Sequence, residues 1–230
     1  MKRGRARCRR ATVAGMTEDR NRLLELPLGR ACERAVTFAR EHLHEAIFNH
    51  SVRTFVFSRI VAAHRGLRPG SDFDEELVCL GCVLHDIGLT DRGDGEQRFE
   101  VDGADLAAEL LAAEGLEPHR VEVVWQAIAL HTSFGINDRM RPEIALAAAG
   151  IGMDFGRDAE LVDDELAGAV HRAYPRQEMA RVLVDEVVAQ GQRRPEKAVP
   201  YTYAGELVRE RCAGVVTLTE QWAAASRWGS

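Results

Sequence analysis

Lysine is almost missing from this chain: Lys2 and Lys197 are the only two among 230 residues. A site that stabilises transferred phosphate on a lysine therefore has almost nothing to draw on, although arginine is plentiful. Cysteine occurs five times at irregular spacing, an odd count that does not read as a disulfide framework and fits a reducing cytoplasm. No run approaches the roughly 18 apolar residues of a membrane span, and the Arg-rich start lacks the apolar segment of a secretory signal. The expected compartment is the cytoplasm, with no membrane partner. Period-2 alternation and β-branched residues are scarce, which excludes a sheet-dominated fold. The formal charge is −6, and Lys2, Arg3, Arg5, Arg7, Arg9 and Arg10 all fall in the first ten residues, so the body beyond them stands at −12. An acidic body lacks the basic stripe of a general nucleic-acid surface, so no nucleic-acid partner is expected.

What remains is an Ala- and Leu-rich chain, 46% hydrophobic, long enough for one well-buried domain. Residues 1–27 read as a basic, disordered tail, 28–212 as the helical domain with its core at 48–156 and C-terminal helices at 157–212, and 213–230 as a loosely held tail. Helical spacing predicts helices over 28–48, 51–64, 74–88, 104–114, 119–132, 142–154, 161–173, 178–190 and 206–212. Asp74, Pro118 and Pro142 are start signals, and Gly88 and Gly115 are stops. The segment 89–102 reads as a flexible polar loop of the kind that often carries function. The fold class is all-α, a compact single-domain bundle.

Chemistry concentrates where the apolar run 77–88 ends in His85 and Asp86. A helix apolar on nearly every side lies in the interior, and a carboxylate taken there unpartnered costs several kcal/mol. Asp154 poses the same problem, three and seven residues after Ile151 and Ala147 on a buried face. His50 is expected where the first two helices meet. Taken singly, His50 could be a hydrogen-bonded core histidine and Asp154 a helix end. Together, two imidazoles and two carboxylates suit one divalent cation. Cys79 and Cys82 have no second pair at zinc-ribbon spacing and read as small buried hydrophobes.

The order His50, His85-Asp86, Asp154 on a helical background resembles the HD superfamily of metal-dependent hydrolases over residues 48–155. A narrower likeness to the cyanamide hydratase group rests on Asn49-His50-Ser51-Val52-Arg53, Leu84-His85-Asp86-Ile87-Gly88, Arg98-Phe99-Glu100-Val101-Asp102-Gly103, Ala127-Ile128-Ala129-Leu130-His131-Thr132 and Ala173-Tyr174-Pro175-Arg176. The resemblance implies a bundle of the HD-domain type. It also implies a metal site formed by His50, His85, Asp86 and Asp154, in which activated water attacks a small nitrile-like carbon. A second metal would need further histidines, and His119 and His131 would stand about 18 Å apart at ~1.5 Å per residue on one helix, so a single ion is expected. The donor types suit zinc, Fe(II), Mn(II) or Ni(II), and the likeness to cyanamide hydratase points to zinc. His131, Thr132 and Glu100 are the candidates for moving protons, and Arg53, Phe99 and Phe134 for contacting a small-molecule substrate. The segment 198–203 could close over the site or cover another subunit, so a homo-oligomer stays open. The alternative with the same metal site is a phosphohydrolase acting on a nucleotide or small phosphoester. The non-enzymatic alternative is a domain whose metal serves folding alone.

Overall fold

The computed structural model describes residues 23–27 and 29–229. Most of the expected basic tail therefore lies outside the described residues. Its last part does not behave as a tail, because Leu23, Leu24 and Leu26 pack against the core and Arg59 donates to the Leu23 carbonyl at 3.0 Å.

Ten α-helices are described: α1 Arg30–His42, α2 Glu45–His64, α3 Glu75–Leu84, α4 Phe99–Ala113, α5 Pro118–Ala129, α6 Pro142–Asp154, α7 Asp164–Ala173, α8 Met179–Arg193, α9 Tyr203–Cys212 and α10 Leu218–Ala225. No strand occurs among the described residues beyond an isolated bridge between Pro69 and Phe73, in agreement with the all-α expectation. No described helix is long and apolar enough to cross a membrane.

The start signals act as the sequence suggests. The Asp74 side chain accepts from the amides of Glu76 and Leu77, and Pro118 and Pro142 open α5 and α6, where a missing N–H costs nothing. The first helix boundary falls elsewhere than expected. The chain breaks at Leu43 and restarts where the His44 side chain caps α2 by accepting from Ala46 N at 3.1 Å. His50 consequently sits inside α2 rather than at a junction. No glycine or proline marks this break, and apolar spacing runs across it.

The helices α2, α3 and α6 form the centre. From Ala46 to Ser58, α2 is buried on every side, and α6 crosses it at Gly150, where an added Cβ would meet the Thr54 carbonyl oxygen at 2.1 Å. Only glycine permits that approach. The same holds after α3, where a Cβ on Gly88 would stand 1.9 Å from the Phe99 carbonyl oxygen. That contact sets the segment following His85-Asp86 directly on the first turn of α4.

Two expectations about mobility are corrected. The polar loop is shorter than 89–102, since α4 already begins at Phe99, and it is clamped. The buried Lys197 ammonium donates to Asp94 Oδ1 at 2.9 Å, to the Gly95 carbonyl at 3.0 Å and to Asp102 Oδ2 at 2.6 Å. The C-terminal stretch is likewise fastened. Thr217 and Glu220 form a capping box for α10, the Trp228 indole stacks on Phe57 at 5.6 Å between centroids, and its N–H donates to the Met153 carbonyl at 2.6 Å.

His171 on α7 lies edge-on to Trp228, 5.3 Å between centroids, and its Nε2 is buried with no hydrogen-bond partner. Burial lowers its pKa to about 4, with Asp154 opposing the shift. An unfolded chain would take that proton first, near about 6.5. The neutral form's contribution to stability is therefore complete above about 6.5 and is lost progressively as pH falls toward 4. His171→Leu is expected to flatten the fall of Tm between those pH values relative to the parent, as read by calorimetry.

Candidate metal centre and catalytic pocket

Three imidazoles converge from three parts of the chain: His50 from the first half of α2, His85 from the residue that ends α3, and His131 from the turn after α5. Each engages its Nδ1 away from the others. His85 Nδ1 lies 2.6 Å from the Cys82 carbonyl and His131 Nδ1 2.7 Å from the Ile128 carbonyl. A carbonyl only accepts, so both nitrogens carry hydrogen. His50 Nδ1 lies 2.6 Å from Asp154 Oδ2 and donates to that carboxylate. In the neutral rings, all three Nε2 atoms are then left with a lone pair.

Those lone pairs surround Asp86. His85 Nε2 is 3.1 Å from Asp86 Oδ2, His50 Nε2 is 3.9 Å from the same oxygen, and His131 Nε2 is 3.8 Å from Asp86 Oδ1. His50 Nε2 and His85 Nε2 face each other at 3.2 Å. Asp86 Oδ2 is buried and has no hydrogen-bond partner, an arrangement a fold does not tolerate for free. The donor atoms of His50, His85 and Asp86 all lie within 4.8 Å of one another. Two Nε2 lone pairs and an orphaned carboxylate oxygen at this spacing fit a divalent cation.

Burial and the neighbouring charges shift each group in its own direction. Burial lowers the pKa of His50, against the pull of Asp154. Burial would lower His85 too, but the adjacent Asp86 outweighs it and raises the group. Burial would raise Asp86, yet His85, His131 and His50 hold its carboxyl well below the usual range. His131 is lowered to about 4 by burial, with His85 adding to the shift.

Asp154, expected as the fourth ligand, stands on the far side of the His50 ring. Its Oδ2 takes His50 Nδ1 and Arg53 Nη2 at 2.6 and 2.7 Å, and its Oδ1 takes Arg53 Nε and Arg176 Nη1 at 2.8 and 3.0 Å. Both oxygens are saturated, and they fix the orientation of the His50 ring from behind. Arg53 is corrected with it: fully buried and spent on Asp154 and the carbonyls of Tyr174 and Pro175, it has no access to a substrate. Its place one turn after His50 hid this, because spacing shows a shared side of α2 but not the reach of a guanidinium behind it.

Glu100 is not a loop acid. It lies in the first turn of α4, fully buried, accepting from Thr132 Oγ1 at 2.6 Å and from Arg98 Nη2 at 2.9 Å. Thr132 lines the cavity with its hydroxyl proton already given to Glu100. Phe99 meets the His131 ring edge-on at 5.5 Å, and Phe134 stands at the mouth, 59% exposed.

The cavity over this centre measures about 550 Å³. Its polar end is formed by His50, His85, Asp86, His131 and Thr132, and its walls by Phe99, Ile151, Phe155, Leu183 and Tyr203. Trp222 and Ser226, from the stretch expected to be loose, complete it. Of the segment 198–203, Tyr203 reaches the cavity while Tyr201 is fully exposed. Arg176 also went unassigned. The signal for it was the need of a buried Asp154 for cations, which Arg53 alone could not meet.

The family model of the HD domain matches residues 47–151, a span holding His50, His85, Asp86 and His131. The cyanamide hydratases DDI2 and DDI3 of Saccharomyces cerevisiae are each 28% identical to this chain over 162 residues, covering 69% of it and 71% of their own length.

Proposed function

We propose that this chain, matched by the HD-domain family model over residues 47–151 and 28% identical to two cyanamide hydratases, is a metal-dependent hydrolase or hydratase of the HD-domain superfamily and that it hydrates a cyano carbon, with cyanamide itself giving urea. The observation that carries the reading is the partnerless Asp86 oxygen beside His50 and His85, whose Nε2 atoms face each other at 3.2 Å while their Nδ1 atoms are engaged elsewhere.

His50 and His85 through Nε2, together with the Asp86 carboxylate, would hold one divalent ion. Zinc is the ion we propose, since two imidazole nitrogens and a carboxylate oxygen suit it. A single ion is supported by the one donor cluster found among the described residues and by the exposure of His119 on α5. When bound, such an ion supplies Lewis acidity and brings the pKa of water toward neutrality. His131 presents a bare Nε2 on the same side, so it accepts a proton from the attacking water before it can donate one. The water oxygen bonds to the cyano carbon, one C≡N π pair moves to nitrogen, and His131 delivers the proton there. Transfer of the second proton from oxygen to nitrogen completes the amide. Thr132 offers lone pairs rather than a proton, since Glu100 holds its hydroxyl hydrogen. Glu100 is thus a positioning residue, and Phe99 confines the His131 ring.

Phosphohydrolysis is the weaker reading. A phosphoryl site needs several cations around the equatorial oxygens, and Arg157 is the one lysine or arginine lining this cavity among the described residues. It sits at the mouth, donating to the Ala148 carbonyl and lying 3.8 Å from Asp138.

Elemental analysis of the purified protein is expected to give one ion per chain, and cyanamide to yield urea in an activity that chelation removes and zinc restores. Chelation should leave the helical circular dichroism in place, because the core stands on apolar packing. Two ions per chain, or phosphate release from nucleotides without urea, would overturn the reading. Unfolding on chelation would favour a metal that serves folding alone.

A further inference from the structure

The cavity is far larger than cyanamide needs. Cyanamide has three non-hydrogen atoms and occupies roughly the space of two or three waters, at ~30 Å³ each. A cavity of about 550 Å³ falls within the roughly 300–1,000 Å³ of sites that enclose drug-sized ligands. Its polarity is also divided. Beyond the histidines, Asp86 and Thr132 come Phe134, Ile151, Phe155, Leu183, Tyr203 and Trp222. At that end Thr219 donates to the Tyr203 hydroxyl at 3.2 Å and Ser226 to the Ala223 carbonyl at 2.8 Å. Arg157 is already matched by Asp138 and the Ala148 carbonyl. A three-atom polar substrate would leave these walls facing water, and Phe134 and Trp222 stay 59% and 51% exposed at the mouth.

We infer that the preferred substrate is an uncharged cyano compound R–C≡N whose R group is bulky and apolar, aromatic rings above all, seated between Phe134, Phe155, Tyr203 and Trp222. This rests on the hydration reading and extends it to substrate class. Offset or edge-on contact with those rings orients R, which aims the cyano group at His131 and the Asp86 end. The reaction balances as it does for cyanamide: one water is added across C≡N, and the product is the R-substituted amide or urea.

The test compares phenylcyanamide with cyanamide as substrates of the zinc-loaded full chain, measuring phenylurea and urea. The wild type is expected to favour phenylcyanamide at least tenfold in kcat/KM, and Trp222→Ala or Phe134→Ala to reduce that preference by about tenfold, the lower end of what lost apolar contact costs specificity. Both positions are exposed, so neither substitution threatens folding. A preference for cyanamide, or one that neither variant moves, would overturn the inference while leaving hydration standing. If neither compound is hydrated, the hydration reading fails. Calorimetric titration of phenylcyanamide then decides the ligand class alone: binding that weakens in Trp222→Ala supports it, and no binding overturns it.

Discussion

Asp86→Asn is expected to empty the metal centre and lower turnover by about a thousandfold or more, with the helical fold intact. The substitution preserves shape and removes the charge. Asp86 Oδ2 makes no hydrogen bond within the chain, so no native hydrogen bond of that oxygen is lost, and the Asn amide would face Nε2 atoms with nothing to bridge them. A Lewis acid contributes several kcal/mol of transition-state stabilisation, with each ~1.4 kcal/mol a factor of ten, which sets the thousandfold scale. The second readout is thermal. An ion that binds only the folded chain stabilises it by about 2.7 kcal/mol at a hundred times its Kd, or roughly 5–10 °C in a domain of this size. The parent should show that increment on adding zinc, and Asp86→Asn should show none. A variant that kept one ion per chain by elemental analysis would remove Asp86 from the ligand set.

How much of this was legible beforehand depends on where the determinants lie. His85 and Asp86 stood out because a run as apolar as Leu77–Leu84 cannot end in two titratable groups without compensation, a conflict visible in one dimension. The all-α class and the starts at Asp74, Pro118 and Pro142 were legible for a similar reason, since caps and periodicity are local. Asp154 was recognised as buried, and it is. Its direction was not recoverable, because burial follows from helical phase, whereas the choice between the ion's side and the Arg53–Arg176 side depends on how α6 crosses α2 at Gly150. Glu100 and Thr132 were both picked out, and the structure joins them to each other, which turns two candidate acids into one positioned acceptor. Much of the cavity wall escaped: Phe99 and Phe134 were picked out and the segment ending in Tyr203 was marked as able to close over the site, but Phe155 and Trp222 were not placed there. Tyr203, Phe155 and Trp222 come from three helices or their ends, and aromatic residues at such positions carry no periodic signature that separates a pocket from a core.

Asp154→Ala is expected to cost about 3–5 kcal/mol of folding stability, toward the upper end, because removal of one member of a buried ion pair leaves the other charge stranded and here two guanidiniums share the single carboxylate. Arg53 is fully buried and Arg176 is 8% exposed, so water cannot replace the lost oxygens at Arg53. Against a total stability of roughly 5–15 kcal/mol, that loss threatens folding outright, and Asp154→Asn is the variant to measure. Its amide keeps the shape, supplies one accepting oxygen for Arg53 or His50 and sets an N–H₂ against the remaining donors, so an intermediate loss is expected in urea denaturation. Metal binding gives the sharper distinction. A residue that orients a ligand from behind costs about 10–100-fold in metal affinity when changed, so Asp154→Asn should retain its ion at saturating zinc and lose it on dilution, with its stability impaired. Were Asp154 instead a direct ligand, the same variant would come up empty at saturating zinc with a nearly undisturbed fold, the pattern expected of Asp86→Asn. A cycle adding Arg176→Met separates the two contributions further. If Arg176 serves to neutralise Asp154, its removal should cost stability in the parent and restore part of it in Asp154→Asn, a coupling expected at about 0.5–3 kcal/mol between contacting residues. A ligand role for Asp154 predicts no such recovery, since the guanidinium would then have no lost partner to answer for.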